Sequence, residues 1–283
     1  MTSVKAACIQ LNAGREIEPN IRAAADLVRR ARDAGADLIM TPEVSDMIEP
    51  KRALRLDKAR EEAAHPMLAA FRALARETGA HLLLGSIMIR RTGEERLANR
   101  SFLIAPDGNI VARYDKIHMF DVDLPGGESY RESAVFQPGE AAVVARLPWG
   151  MLGLTVCYDL RFPQLYRSLA QGGAEFLTIP SAFTVPTGKA HWHVLLRARA
   201  IENGCFVFAP AQCGEHAEGR RTYGHSLIVA PWGEILAEAV ADEPGFVLAD
   251  IDPAKVAEAR RAVPSLRHDR AFAPPTGRPA AAE

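Results

Sequence analysis

Cys157 ends an apolar run, Met151-Leu152-Gly153-Leu154-Thr155-Val156, and precedes Tyr158-Asp159-Leu160-Arg161-Phe162-Pro163, whose proline can start a helix. The residue therefore falls on a strand-to-helix turn. Such a turn exposes a side chain at the edge of a sheet and leaves backbone N–H groups beside it, as a nucleophile and an oxyanion hole require. A thiol near its reference pKa of about 8.5 is mostly protonated at neutral pH, so it needs a base or a cation to attack. The eight histidines (His65, His81, His118, His191, His193, His216, His225 and His268) sit in no protease-like signature with it. Another activating group is required. Glu43, after the apolar run 37–40, and Lys116, after 110–114, stand at strand ends, where open α/β sheets place their ligands. Each residue alone has a plain alternative: a buried inert thiol, a surface glutamate, a solvated lysine.

The elements that must position these residues follow from periodicity. Residues 4–10 read as a strand, 21–34 as a helix stopped by Gly35, and 37–40 as a buried strand. A helix over about 63–78 and a strand over 81–87 repeat that order, and Pro106-Asp107-Gly108-Asn109 joins 101–105 to 110–114 as a hairpin. The second half runs strand 151–156, helix 163–171, strand 176–179, helix 189–203 and strand 205–209, then a hairpin of 226–230 with 234–237. A last helix spans about 253–262. No linker rich in Gly, Pro or Ser divides the halves, so one α/β domain over 1–271 is expected, with two mixed sheets covered by helices and 272–283 as a C-terminal arm or disordered tail.

Composition excludes several classes of function. Lys plus Arg (34) nearly cancels Asp plus Glu (35), leaving no broad field for nucleic acid or an acidic membrane. No apolar run approaches the roughly 20 residues that cross a bilayer. Cys8, Cys157, Cys205 and Cys213 form no CxxC pair, and the start MTSVKAACIQL lacks a signal-like pattern, so a cytoplasmic protein with free thiols is expected. His191 and His193 fall on different faces of a helix with no accompanying ligand pattern, so no metal is expected.

Three segments together, Thr41-Pro42-Glu43, Tyr114-Asp115-Lys116-Ile117-His118 and Thr155-Val156-Cys157-Tyr158-Asp159-Leu160-Arg161-Phe162-Pro163, resemble the nitrilase, or carbon–nitrogen hydrolase, superfamily in order and spacing. The resemblance runs from the first strand to about Ala271. It implies a four-layer α-β-β-α sandwich, with Cys157 as nucleophile, Glu43 as general base and Lys116 as the cation that steadies the tetrahedral intermediate. The Tyr158 backbone N–H would be a second oxyanion donor. Of two candidates for the superfamily's second glutamate, Glu132 fits better than Glu128, because Glu132-Ser133 precedes Phe136-Gln137-Pro138-Gly139. The implied chemistry is a thioester route without a cofactor. Efficient proton transfer at neutral pH calls for a Glu43 pKa raised toward neutrality.

Segments 118–126, 181–184, 211–216 and 221–226 resemble the deaminated-glutathione amidase and omega-amidase branch. That implies ammonia release from a carboxylate-bearing 2-oxo amide, deaminated glutathione or 2-oxoglutaramate, in metabolite repair. Arg161, Arg221, Tyr223 and His225 are candidate anchors for the substrate, with Phe183 and Thr184 lining the pocket. The superfamily counterpart of helix 191–203 lies at a subunit interface, which implies a homodimer. Nitrile, N-carbamoyl amino acid or other aliphatic amide hydrolysis, acyl transfer, and a non-catalytic scaffold remain as alternatives.

Overall fold

Alternation along the first strand decides the layering. Successive side chains of a strand point to opposite faces, and β1 (Val4–Gln10) sends Ala6 and Cys8 into one core while Ala7 and Ile9 enter another. β2 (Leu38–Met40) repeats this, with Leu38 and Met40 on the first side and Ile39 on the second. These observations come from a computed structural model that describes residues 3–124, 127–240 and 242–273.

The first sheet continues with β3 (His81–Arg90), β4 (Leu97–Ile104) and β5 (Ile110–Asp115). The second sheet takes β6 (Val143–Leu147), β7 (Gly150–Leu154), β8 (Phe176–Thr178), β9 (Phe206–Ala209), β10 (Leu227–Val229) and β11 (Ile235–Glu238). A final strand, β12 (Gly245–Ile251), returns to the first sheet and pairs antiparallel with β1. The orders are β12-β1-β2-β3-β4-β5 and β11-β10-β9-β8-β7-β6, and a two-residue strand, Arg60–Glu61, also pairs with β3. In each sheet a parallel trio, β1-β2-β3 or β7-β8-β9, is flanked by antiparallel strands, so both sheets are mixed.

Helices cover both outer faces. α1 (Ile17–Asp33) buries Ala24, Leu27, Val28 and Ala31 at helical spacing. After the short exposed α2 (Arg52–Lys58), α3 (Pro66–Thr78) starts on a proline, buries Met67, Phe71 and Leu74, and stops at Gly79 with φ +65°. Between the sheets Leu83, Leu103 and Tyr114 meet Leu152, Leu154 and Leu177, and the same apolar cluster runs on to α4 (Pro163–Gln171) and α5 (Val185–Asn203) through Tyr166, Trp192 and Leu196. This is the expected α-β-β-α sandwich. A closing helix, α6 (Ala254–Ala262), adds Val256 to that cluster.

Three boundaries differ from expectation for identifiable reasons. α1 begins at Ile17 rather than 21, because its first turn, Glu18-Pro19-Asn20, carries no apolar periodicity. α5 begins at Val185, four residues before the expected start, since Pro186-Thr187-Gly188 hides the helical pattern. β6 and β12 are further strands: β6 forms a tight hairpin with β7 around Pro148-Trp149, and β12 pairs antiparallel with β1 across the length of the domain, which no local turn announces. Residues 274–283, most of the expected arm, lie outside the described residues, and no helix described here is long and apolar enough to cross a membrane.

Candidate active site

Glu43 stands three residues beyond β2, and its loop is tied to β3. Thr41 N–H donates to Leu83 O (2.9 Å), Gly85 N–H donates to Thr41 Oγ1 (3.1 Å), and Val44 N–H donates to Ser86 Oγ (2.9 Å). Gly85 is needed there: a Cβ on it would lie 1.9 Å from Thr41 O and 2.7 Å from Pro180 Cβ. Only a glycine lets the loops that hold Glu43 and Cys157 converge on that strand. Val44, a β-branched residue, takes φ +47°. Such strain persists only where surrounding bonds over-determine it.

Cys157 stands three residues beyond β7 with φ +49°, and its N–H donates to Pro180 O (2.9 Å). The turn continues as a short 3₁₀ helix, Cys157–Arg161, before Pro163 opens α4. Fully buried Asp159 joins this turn to the lysine loop, accepting from Val156 N–H (2.8 Å), Tyr114 OH (2.7 Å), His118 N–H (3.0 Å) and His118 Nδ1 (2.7 Å). One carboxylate thus fixes two of the three chemical segments relative to each other. Among the described residues, nothing outside the 3₁₀ turn accepts a hydrogen bond from Tyr158 N–H, as expected for the first turn of a helix.

Four ionisable groups meet in one buried cluster. Lys116 Nζ donates to Glu43 Oε1 (2.8 Å) and to both oxygens of Glu132 (2.8 Å each). Asn99 Nδ2 donates to Glu43 Oε1 (3.0 Å) and Glu132 Oε1 (3.3 Å). Ala182 N–H holds Glu43 Oε2 (3.0 Å), Phe120 N–H holds Glu132 Oε2 (2.6 Å), and the Cys157 thiol lies against Glu43 on the same cavity wall. Glu128 instead accepts from Tyr130 OH on an exposed loop.

The electrostatics follow from this geometry. Burial would raise the Glu43 pKa, but the Lys116 charge and the hydrogen bonds from Lys116, Cys157 and Asn99 prevail and hold it below the usual carboxylate range. The expected rise toward neutrality is absent because the cation is in contact. Burial would lower Lys116, yet the charges of Glu132 and Glu43 push it well up, so it stays protonated. Burial, then the Glu43 charge, pushes the Cys157 thiol up against the opposing pull of Lys116 and the Ala182 N–H. The resting cluster is a neutral thiol beside an ionised carboxylate and an ammonium. If sulfur attacks a carbonyl as its proton passes to Glu43, negative charge moves from Glu43 to the oxyanion while the cluster's total charge is unchanged. Lys116 can accompany that charge without leaving its place.

The cluster opens into a cavity of about 360 Å³. Tyr158, Phe183 and Thr184 line it. Arg161, Tyr223 and His225 do not, so the structure does not place them as substrate anchors. The Arg161 guanidinium meets His191 Nδ1 (3.3 Å) and lies 5.7 Å from the rings of Tyr158 and Phe183. Tyr223 packs on His225, ring centroids 4.3 Å apart, and Arg221 pairs with Asp242 (3.2 Å). His193 and His225 both meet Glu238 Oε1, at 2.8 and 2.6 Å, and the three groups could hold a metal ion. Spacing along α5 could not reveal that trio, because its members come from three segments; none of them lines the cavity. Sequence reasoning missed Asn99, Arg55 and Arg220, which do line it. Asn99 is one of three consecutive polar residues, with Arg100 and Ser101, in strand β4, so its type alone gave only a weak local signal.

Comparisons with known proteins agree with this geometry. The carbon–nitrogen hydrolase family profile matches residues 5–261. A deaminated glutathione amidase from Synechocystis sp. is 41% identical over 271 residues, covering 93% of this chain and 97% of that protein. The human deaminated glutathione amidase is 42% identical, covering 93% and 81%. Among solved structures, the C. elegans NitFhit protein superposes with a TM-score of 0.89 at 35% identity, covering 95% of this chain and 65% of that longer one. The amidase from Nesterenkonia sp. AN1 superposes with a TM-score of 0.77 at 27% identity, covering 92% and 98%, in a mutant that shows Michael addition of acrylamide at its active site cysteine. With its profile match, its fold and a buried glutamate–lysine–cysteine cluster at three strand ends, this chain belongs to the carbon–nitrogen hydrolase family and is a hydrolase of amide bonds.

Proposed function

We propose that this protein hydrolyses the side-chain amide of deaminated glutathione, with 2-oxoglutaramate as a smaller alternative substrate, and so removes a product of misdirected transamination. The observation that carries the chemistry is Lys116 bridging Glu43 and Glu132 in the cavity that the Cys157 thiol also lines. The substrate reading draws on relatives about 40% identical over most of the chain that carry that activity in their names. Cys157 Sγ attacks the amide carbon as its proton passes to Glu43. Lys116 and the Tyr158 N–H receive the developing oxyanion, and Glu132 holds Lys116 in place. The C–N bond then breaks as Glu43 returns the proton to the leaving nitrogen. Water attacks the thioester with Glu43 again as base, releasing the acid and restoring the thiol. The steps use this chain's side chains and water.

The leaving group refines the expectation of ammonia. In deaminated glutathione the scissile nitrogen belongs to the cysteinyl residue, so cysteinylglycine leaves with 2-oxoglutarate as the acid; 2-oxoglutaramate gives ammonia. The test is to follow 2-oxoglutarate from both compounds beside a nitrile and an N-carbamoyl amino acid. Turnover of deaminated glutathione with equal yields of 2-oxoglutarate and cysteinylglycine is expected. If both 2-oxo amides stay inert while the nitrile or carbamoyl compound reacts, the substrate reading is overturned.

A cytoplasmic setting and a homodimer belong to the same proposal. All four cysteines are free and buried, and α5 presents Val194 (68% exposed) and Ile201 (53% exposed) on its outer face.

A further inference from the structure

Charge accounting around the cavity leaves two cations without a counter-ion. Arg55 on α2 and Arg220 after the turn at 217–219 both line the cavity that Cys157 and Lys116 also line. Neither has an ion pair within 4.0 Å among the described residues. Their neighbours differ: Arg131 is held by both oxygens of Asp123 (2.9 Å each), and Glu49, a carboxylate on the same wall, is taken by Lys51 N–H (3.0 Å) and Lys58 (3.4 Å). Arg55 Nη2 reaches only Pro50 O (3.2 Å) and Arg220 Nη2 only Ala182 O (3.4 Å). The Nε atom of each is buried with no partner.

Two half-buried guanidinium groups facing one cavity repel each other, and burial together with the Arg220 charge pushes Arg55 below the usual arginine range against the opposing charges of Glu132 and Glu49. An anion between them would relieve both the repulsion and the unpaired donors, and the planar fork of arginine suits a carboxylate. The position is linked to the reacting centre through a single residue: Ala182 O accepts from Arg220, while Ala182 N–H donates to Glu43.

We propose that Arg55 and Arg220 form the subsite that receives the carboxylate of the substrate's acyl half. The assignment rests on reading the cavity as an amidase site for a carboxylate-bearing amide. In a five-carbon 2-oxo amide that carboxylate lies four bonds from the scissile carbon, about 5 Å when extended. A carboxylate on the departing amine lies farther off and on the other side of the scissile bond. This pair takes the place of Arg161, Tyr223 and His225 as the anchor.

The experiment measures binding rather than turnover. Calorimetry on the full chain carrying Cys157→Ala compares glutaramate, which has one carboxylate and one amide, with glutaramide, its neutral diamide of the same length. Glutaramate is expected to bind more tightly, and Arg55→Gln or Arg220→Gln to weaken it roughly 10- to 100-fold, leaving the two ligands nearly equal. Should a glutamine variant fail to fold, Arg55→Lys or Arg220→Lys, which keeps the charge but loses the fork, is expected to weaken glutaramate by a smaller factor. The proposal is overturned if glutaramate shows no preference over glutaramide, or if the preference survives undiminished in the variants. A preference that depends on both arginines in a protein that leaves the 2-oxo amides intact would uphold the subsite and refute the proposed substrate.

Discussion

Cys157→Ala will lower amide turnover by about 10⁴-fold or more while leaving the fold in place. Among the described residues no other thiol lines the cavity to form the acyl intermediate. Cys8, Cys205 and Cys213 are buried in the core, and none of them lines the cavity. Glu43 without the thiol has only water to activate, and residues that act as a catalytic unit lose nearly all their effect when one is removed. Stability should change little, by about 1 kcal/mol, because the truncation removes one sulfur atom and one hydrogen bond. Steady-state kinetics and a denaturant titration read the two quantities separately. A variant with more than about a tenth of wild-type turnover would remove Cys157 from the mechanism.

Lys116→Met carries the second large effect, and it reaches both activity and stability. Methionine fills much the same volume but leaves Glu43 and Glu132 buried together, joined by Asn99 and without a cation. Removing the oxyanion partner should lower kcat by about 10²- to 10³-fold. Breaking a buried ion pair by deleting one side should cost about 3–5 kcal/mol at neutral pH.

The pH dependence separates the electrostatic cause from a packing defect. In the wild type the folded-state pKa of Glu43 is lowered. That stability is present above the unfolded value of about 4.3 and is lost as pH falls through the folded value. With Lys116 gone, burial raises the folded pKa above the unfolded one. The sign then reverses: the variant is least penalised when Glu43 is protonated and loses stability as pH rises. Denaturant titrations at pH 5 and pH 7.5 should therefore show a smaller gap between variant and wild type at the lower pH. A gap independent of pH would mean the lysine acts through packing alone.

What sequence could show and what it could not follows from the range of the forces involved. Cys157, Glu43 and Lys116 each lie within three residues of a strand end, so local apolar runs were enough to place them at the carboxyl ends of strands. The helices announce themselves by periodicity, and α3 also by Pro66 and Gly79. β12 is different, for its register with β1, Val4 against Ile251, joins the two ends of the domain and is set by packing rather than by any turn. The depressed pKa of Glu43 was equally hidden. Its burial was foreseeable, but contact with Lys116 comes from strands far apart in sequence and reverses the direction that burial alone would give. Arg55 and Arg220 lie on a seven-residue helix without buried residues and beside a tight turn, where arginine is ordinarily solvated. Only the folded cavity makes either of them notable.

The decisive measurement is to quench the wild-type protein with acid during turnover of deaminated glutathione and map its peptides by mass spectrometry. A 2-oxoglutaryl group on the peptide carrying Cys157, formed in burst and lost as substrate runs out, is the expected result. Steady turnover with no acyl adduct on that peptide at any quench time, or an adduct on a different residue, would contradict covalent catalysis through Cys157.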